Sequence, residues 1–185
     1  VVGMSMGGMI AQRMAIHHPN RVFTLTSMMS STGDPKLPMP TEETIGALLT
    51  SAIIDDEKSV IRNIIASCNH LGGPHYDSET VGLGRFAQSS YDRSYRPNGF
   101  VRQLTAIVTD EERTKALRTV VAPALVIHGN ADPLFPIAAG EATSEAMPQA
   151  KLQIIEKLGH DLPEPVIPTL VDSVTRLAKR AEIER

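Results

Sequence analysis

A six-residue turn near the start of the chain constrains the fold more than any other feature. The pair Val1-Val2 has the character of a buried strand end, and it runs directly into Gly3-Met4-Ser5-Met6-Gly7-Gly8. Residues 9–17 then show the apolar spacing of a helix, which Pro19 ends. A G-x-S-x-G motif between a strand and a helix predicts a sharp turn that exposes the serine hydroxyl at the edge of a parallel sheet.

The turn would give Ser5 the surroundings of a nucleophile. We expect a strained backbone at this serine, with glycines where strand and helix come close together. The adjacent helix N-terminus favours developing negative charge, and the Met6 N–H is the natural first donor of an oxyanion hole. On the motif alone, a glycine-rich strand–helix connection with an incidental serine remains an open alternative.

The rest of the chain alternates between sheet and helix patterns. Residues 22–28 predict a second strand, which forms a parallel βαβ unit with the first. A turn-rich stretch follows, and then four helical patterns that no strand pattern interrupts: 41–49, 55–68, 78–90 and 99–109. Strand and helix patterns then resume, with strands at 124–128 and 151–155 and helices at 137–147 and 165–181. We therefore predict an α/β fold with core segments at 1–36 and 111–185 and a helical insertion at 37–110.

Two further chemical signals follow predicted strands. Asp132 comes after the strand at 124–128, in His128-Gly129-Asn130-Ala131-Asp132-Pro133-Leu134-Phe135-Pro136, and His160 lies in Gly159-His160-Asp161. A carboxylate at this position can orient an imidazole, and an imidazole can act as a general base toward Ser5. Taken alone, Asp132 is more readily explained as a turn residue before proline, and His160 fits a loop residue as well as a base. Together they appear in the order Ser, Asp, His, each after a strand, and this joint pattern favours a catalytic triad.

Several other residues have alternative interpretations. Asp34 follows the second strand and is a minor candidate for the acid. His70 and His75 lie in the insertion and are minor candidates for facing a substrate. His128 is expected to be a buried, satisfied histidine, Asp161 a loop residue and Cys68 a small buried hydrophobe. The candidates for an apolar substrate pocket are Met4, Met28, Leu134 and Phe135, although core packing is the commoner use of methionine.

Composition excludes several classes of protein. The 18 basic and 21 acidic residues give a formal net charge of -3 without a basic patch, which argues against nucleic acid as a partner. No run reaches the roughly 18 apolar residues that span a bilayer. Cys68 is the only cysteine, and no metal-ligand spacing occurs. We therefore expect no metal, no cofactor and no membrane partner, and a cytoplasmic location.

The three motifs together resemble the α/β-hydrolase superfamily over essentially the whole chain. Within it, the chain is similar to bacterial esterases of the aclacinomycin methylesterase type, and the stretches 31–35 and 91–95 add to that likeness. The resemblance implies a serine esterase with Ser5 as nucleophile, Asp132 as acid and His160 as base, beneath a helical cap. It implies a small-molecule ester as substrate and leaves the oligomeric state open.

One departure from the family pattern is visible. The family places a second oxyanion donor in a loop upstream of the nucleophile, and the chain starts too late to contain that loop or the early strands. Single domains of this kind commonly need roughly 200–250 residues, so we expect an N-terminally truncated chain. The alternatives to ester hydrolysis are C–C bond hydrolysis, lactone hydrolysis or cofactor-free perhydrolysis on the same scaffold, or a truncated paralogue without catalytic activity.

Overall fold

The structure is a computed structural model that describes residues 1–50, 56–74 and 82–183. Its centre is a parallel four-stranded sheet in the order β1-β2-β3-β4. The strands are β1 (Val2–Met4), β2 (Leu25–Met28), β3 (Ala124–Gly129) and β4 (Ala150–Ile155). Every residue of the two central strands is buried, as expected for a parallel sheet that is covered on both faces. The predicted fold class is confirmed.

Eight α-helices accompany the strands within the described residues. They are α1 (Met6–His17), α2 (Glu42–Thr50), α3 (Glu57–Leu71), α4 (Leu83–Ser94), α5 (Pro97–Thr109), α6 (Thr114–Leu117), α7 (Ile137–Ala146) and α8 (Ile167–Ile183). Short 3₁₀ turns lie at Pro19–Arg21 and Glu164–Val166. None of these described helices is long and apolar enough to cross a membrane.

Side-chain alternation along β3 divides the core between the two faces of the sheet. Ala124 and Val126 belong to one buried cluster, which includes Leu25 and the inner residues of α1. Leu125 and Ile127 belong to the other, which includes Leu170 of α8. Because successive side chains of a strand point to opposite faces, one strand contributes to both clusters.

The boundaries of several elements differ from the sequence prediction. Helix α1 begins at Met6 and not at residue 9, because it starts directly after the turn at Ser5. Strand β2 begins at Leu25 and not at residue 22, because the 3₁₀ turn extends to Arg21 and Val22 caps it. Helix α4 begins at Leu83, after Gly82 in the left-handed conformation; residues 78–81 of the predicted helix lie outside the described residues.

The chain between β2 and β3 contains only helices and loops within the described residues. Helix α3 begins at Glu57, where the Asp56 side chain accepts a hydrogen bond from the Ser59 N–H. At its other end, the Leu71 carbonyl accepts the N–H of His160 at 2.6 Å. The helical segment therefore touches the loop after β4. The division at residues 36 and 110 stays a prediction.

Candidate active site

The turn between β1 and α1 holds Ser5 in an unusual backbone conformation. Its φ of 54° and ψ of -121° lie in a region that costs a residue other than glycine on the order of 1–3 kcal/mol. The turn is tight, because a Cβ on Gly3 would lie 2.0 Å from the carbonyl oxygen of Gly7. The strained serine that the motif predicts is therefore present at the C-terminal end of β1.

Hydrogen bonds from three directions hold the backbone of Ser5. Its N–H donates to the Met28 carbonyl at 2.8 Å. Its carbonyl accepts the Ser30 Oγ–H at 2.9 Å and the N–H groups of Gly8 and Met9 at 2.9 and 3.2 Å. The next amide, that of Met6, is the first of α1 and therefore has no partner within the helix. Its role as an oxyanion donor stays a prediction.

Asp132 lies buried in the loop after β3, with both carboxylate oxygens occupied. Its Oδ1 accepts the N–H groups of Leu134 and Phe135, each at 2.8 Å. Its Oδ2 accepts a hydrogen bond from His160 Nδ1 at 2.8 Å. Two backbone donors thus orient one oxygen, and the other is presented to the imidazole.

His160 lies buried in the loop after β4, beside the acid. Because Nδ1 donates to Asp132, the neutral imidazole has its lone pair at Nε2, where it can accept a proton. The Phe135 ring packs at 5.6 Å from the imidazole, tilted by 55°. No hydrogen bond between Ser5 Oγ and His160 occurs in the described chain; such contacts often tighten only when substrate binds. The structure brings Asp132 and His160 together, with Ser5 at the same end of the sheet.

His128, expected to be buried and satisfied, is fully buried but only half satisfied. Its Nε2 donates to the Phe135 carbonyl at 2.7 Å and so closes the loop that carries Asp132. Its Nδ1 has no hydrogen-bond partner. Burial lowers the pKa of His128, so the ring is neutral at physiological pH.

Asp161, expected to be an ordinary loop residue, has a buried Oδ1 without a partner. Burial raises its pKa to about 6; the Asp132 charge adds to this effect and His160 opposes it. Cys68 lies nearby on α3, and burial, together with Asp161, raises the pKa of its thiol. The raised pKa values of Asp161 and Cys68 have no signal in the sequence, because burial depends on contacts between distant segments.

The proposed pocket residues differ in their surroundings. Met28 is buried beside Leu125 and Ile127, and Met4 packs against the same cluster. Leu134 and Phe135 are half-buried beside the acid. A substrate contact by any of these four side chains stays a prediction.

Of the minor candidates, Asp34 and His70 each have a hydrogen-bond partner. The Asp34 carboxylate accepts the Lys36 N–H at 2.9 Å, which is the turn role, whereas Asp132 contacts the histidine. His70 Nε2 lies 3.1 Å from the Thr44 hydroxyl, and His75 lies outside the described residues. Across the described ranges, no group of three or more His, Cys, Asp or Glu side chains could hold a metal ion.

Known proteins share both the sequence pattern and the fold. The chain is 32% identical over 167 residues to 2-hydroxy-6-oxononadienedioate/2-hydroxy-6-oxononatrienedioate hydrolase 1 of Dechloromonas aromatica, covering 86% of this chain and 55% of that protein. It is 29% identical over 168 residues to the pimeloyl-[acyl-carrier protein] methyl ester esterase of Aromatoleum aromaticum, covering 86% and 66%.

A solved structure shows the same fold. The 2-hydroxy-6-oxo-6-phenylhexa-2,4-dienoate hydrolase of Rhodococcus sp. strain RHA1 superimposes with a TM-score of 0.71 at 18% identity, over 96% of this chain and 63% of that one. The chain spans little more than half the length, 55%, of the first curated relatives that it matches. The family model described as alpha/beta hydrolase fold matches residues 1–164. The chain belongs to the alpha/beta hydrolase fold family.

Proposed function

We propose that this chain is a serine hydrolase that cleaves carboxylic esters through Ser5, His160 and Asp132. The observation that carries the proposal is the 2.8 Å hydrogen bond from His160 Nδ1 to Asp132 Oδ2. This bond leaves Nε2 as the basic nitrogen, at the same end of the sheet as the strained Ser5. The burial of both side chains with this hydrogen bond, in the loops that follow adjacent strands, supports a shared role.

In the proposed reaction, Ser5 Oγ attacks the ester carbonyl while His160 Nε2 takes its proton. Asp132 stabilises the imidazolium that forms. The Met6 N–H donates to the developing oxyanion, and a single donor of this kind is worth roughly 100- to 1000-fold in kcat. The alcohol leaves with the proton from His160, and water then hydrolyses the acyl-enzyme by the same steps. No metal or organic cofactor takes part in these proposed reaction steps.

The test is the labelling of Ser5 by a fluorophosphonate and the turnover of p-nitrophenyl butyrate. Ser5→Ala should abolish both, since the nucleophile is lost, whereas the exposed Ser89→Ala should leave both unchanged. Labelling that persists in Ser5→Ala would exclude Ser5 as the nucleophile.

A second candidate function is hydrolysis of a C–C bond by the same three residues. It is favoured by the curated relatives named as 2-hydroxy-6-oxononadienedioate hydrolases, which are 27–32% identical over 86% of the chain. The esterases acting on a pimeloyl methyl ester are 24–29% identical over the same share, and they support ester hydrolysis.

Parallel assays with a 2-hydroxy-6-oxodienoate and with p-nitrophenyl and methyl esters separate the two candidates. A kcat/KM at least 100-fold higher for the dienoate would replace ester hydrolysis with C–C bond hydrolysis. The same proposal includes a small-molecule substrate, no nucleic acid or membrane partner, and a cytoplasmic location. It also includes the likeness to aclacinomycin methylesterases.

A further inference from the structure

We propose that Ser30 is a positioning residue that holds the nucleophilic serine and aligns the oxyanion donor beside it. The inference rests on the proposed function of Ser5. Ser30 follows β2, is only 2% exposed, and lies 25 positions along the chain from the serine that it contacts. It belongs to none of the three sequence motifs.

The strained conformation of Ser5 is held from the end of β2. A residue other than glycine keeps such a φ and ψ only where the surrounding structure over-determines it. Met28 accepts the Ser5 N–H at 2.8 Å, and the Ser30 hydroxyl donates to the Ser5 carbonyl at 2.9 Å. Both polar groups of the Ser5 backbone are therefore bonded to residues 28 and 30.

The turn between those two residues has a conformation of its own. Met29 has a φ of 43°, is fully buried, and donates its N–H to the Ile127 carbonyl at 2.8 Å. The adjacent strand β3 thus fixes the turn that places Ser30 over the start of α1. Gly8 leaves room for the serine there, because a Cβ on Gly8 would lie 2.7 Å from the Ser30 Cβ.

The bond to the Ser5 carbonyl acts on the oxyanion donor through a rigid peptide. The carbonyl of Ser5 and the N–H of Met6 are the two polar groups of one planar trans peptide group. A hydroxyl that fixes the direction of the carbonyl therefore fixes the direction of the Met6 N–H. The Gly8 and Met9 N–H groups also bond this carbonyl, and the Ser30 hydroxyl is its one partner from outside α1. Its loss would leave the peptide group held only from the helix side and freer to rotate about ψ of Ser5.

The experiment compares Ser30→Ala with Ser27→Ala, measuring kcat, KM, the rate of fluorophosphonate labelling and Tm. Ser27 is a matched control, since its buried hydroxyl also contacts α1, accepting a hydrogen bond from Gln12 Nε2 at 3.1 Å, but does not touch Ser5. Ser30→Ala should lower kcat and the labelling rate by about tenfold, with KM within twofold. Ser27→Ala should have a lower Tm but should not show this fall in kcat.

Equal kcat and labelling rates in the two variants would overturn the inference. If Ser30→Ala does not fold, Ser30→Cys replaces it, because a thiol fills similar space but is a weak hydrogen-bond donor. The kcat of Ser30→Cys should fall several-fold. A wild-type kcat in this variant would also overturn the inference. If the unmodified chain is not labelled at Ser5, the proposed function fails and this inference fails with it. Labelling of the unmodified chain together with wild-type rates in Ser30→Ala contradicts the role of Ser30 alone.

Discussion

At the scale of single residues, the least expected feature is the carboxyl group of Asp161. It lies next to the proposed base, with one oxygen buried and unpartnered, and burial raises its pKa to about 6. Burial disfavours the charged form of a carboxyl group. The folded chain therefore binds a proton at this position more tightly than the unfolded chain does.

This difference predicts a stability that falls with rising pH. Because the folded pKa of about 6 exceeds the ordinary value of 3.8, the contribution of Asp161 is lost between about pH 4 and pH 6. Asp161→Asn removes the ionisation and should raise the free energy of unfolding at pH 8 by about 1 kcal/mol, a figure kept small because the residue is partly exposed to solvent screening. Urea unfolding from pH 4 to pH 8 measures both effects.

The control is Asp172→Asn on the exposed side of α8, where the carboxylate pairs with Arg176 at 2.8 Å. This variant should keep the wild-type dependence on pH in that range. An Asp161→Asn chain that follows the wild-type pH dependence would show that Asp161 ionises without a penalty.

At the scale of elements, Arg113 connects α1 to two segments distant in sequence. Its side chain is 1% exposed. It donates to Gln12 of α1 at 3.0 Å and to the Ser31 carbonyl after β2 at 2.8 Å, and it forms an ion pair with Asp110. The helix that follows Ser5 is thereby joined to the residue that follows α5.

Asp110 is shared between two arginines. Its other oxygen pairs with Arg13 of α1 at 2.6 Å. Burial raises the pKa of Asp110, but hydrogen bonding to Arg13 and the charges of Arg113 and Arg13 outweigh burial and leave the pKa below its ordinary value. The carboxylate therefore remains charged at neutral pH, and removing Arg113 would leave it with Arg13 alone.

We predict that Arg113→Met lowers the free energy of unfolding by roughly 1–3 kcal/mol, the cost of leaving a buried acceptor without its donor. Gln12 and the Ser31 carbonyl would also lose a donor. Equilibrium urea unfolding measures the change. Arg176→Met, which breaks a pair whose arginine side chain is 69% exposed, should cost less than about 1 kcal/mol. Similar small losses in both variants would mean that the Arg113 contacts contribute little.

At the scale of the whole molecule, apolar side chains remain exposed on one side of the sheet. Ile10 and Met14 of α1 are 51% and 39% exposed. They line a groove between α1 and the end of α5, together with Ala106 and Ile107. Ile10 and Met14 are four residues apart and therefore lie on one face of the helix.

An exposed apolar face of this kind promotes association in solution. The double substitution Ile10→Lys with Met14→Lys should lower the fraction of self-associated chain at high concentration, because two charges would have to be desolvated in any contact. Sedimentation velocity over a range of concentrations measures that fraction. Val171→Lys, at an exposed position of α8, should leave it unchanged. Identical sedimentation of the double variant and the parent chain would show that this face does not mediate self-association.

Much of the fold could be predicted from local patterns in the sequence. The strands at 124–128 and 151–155 and the helix at 137–147 were predicted within one residue of β3, β4 and α7, because alternation, helical spacing and turn residues act over a few positions. The starts of α1 and β2 were each wrong by three residues. Each begins where a turn ends, and the conformation of a turn depends on the backbone around it.

For the candidate site too, some features follow from the sequence and others only from the tertiary structure. The sequence alone determined the serine turn and the positions of Asp132 and His160 after successive strands, since parallel strands bring their C-terminal ends to one edge. Only the tertiary structure decided that Asp132 bonds His160, that Ser30 bonds the carbonyl of Ser5, and that one oxygen of Asp161 and one nitrogen of His128 have no partner. Burial and hydrogen bonding of these groups depend on segments that meet only after folding, and no local pattern encodes which atoms will face each other.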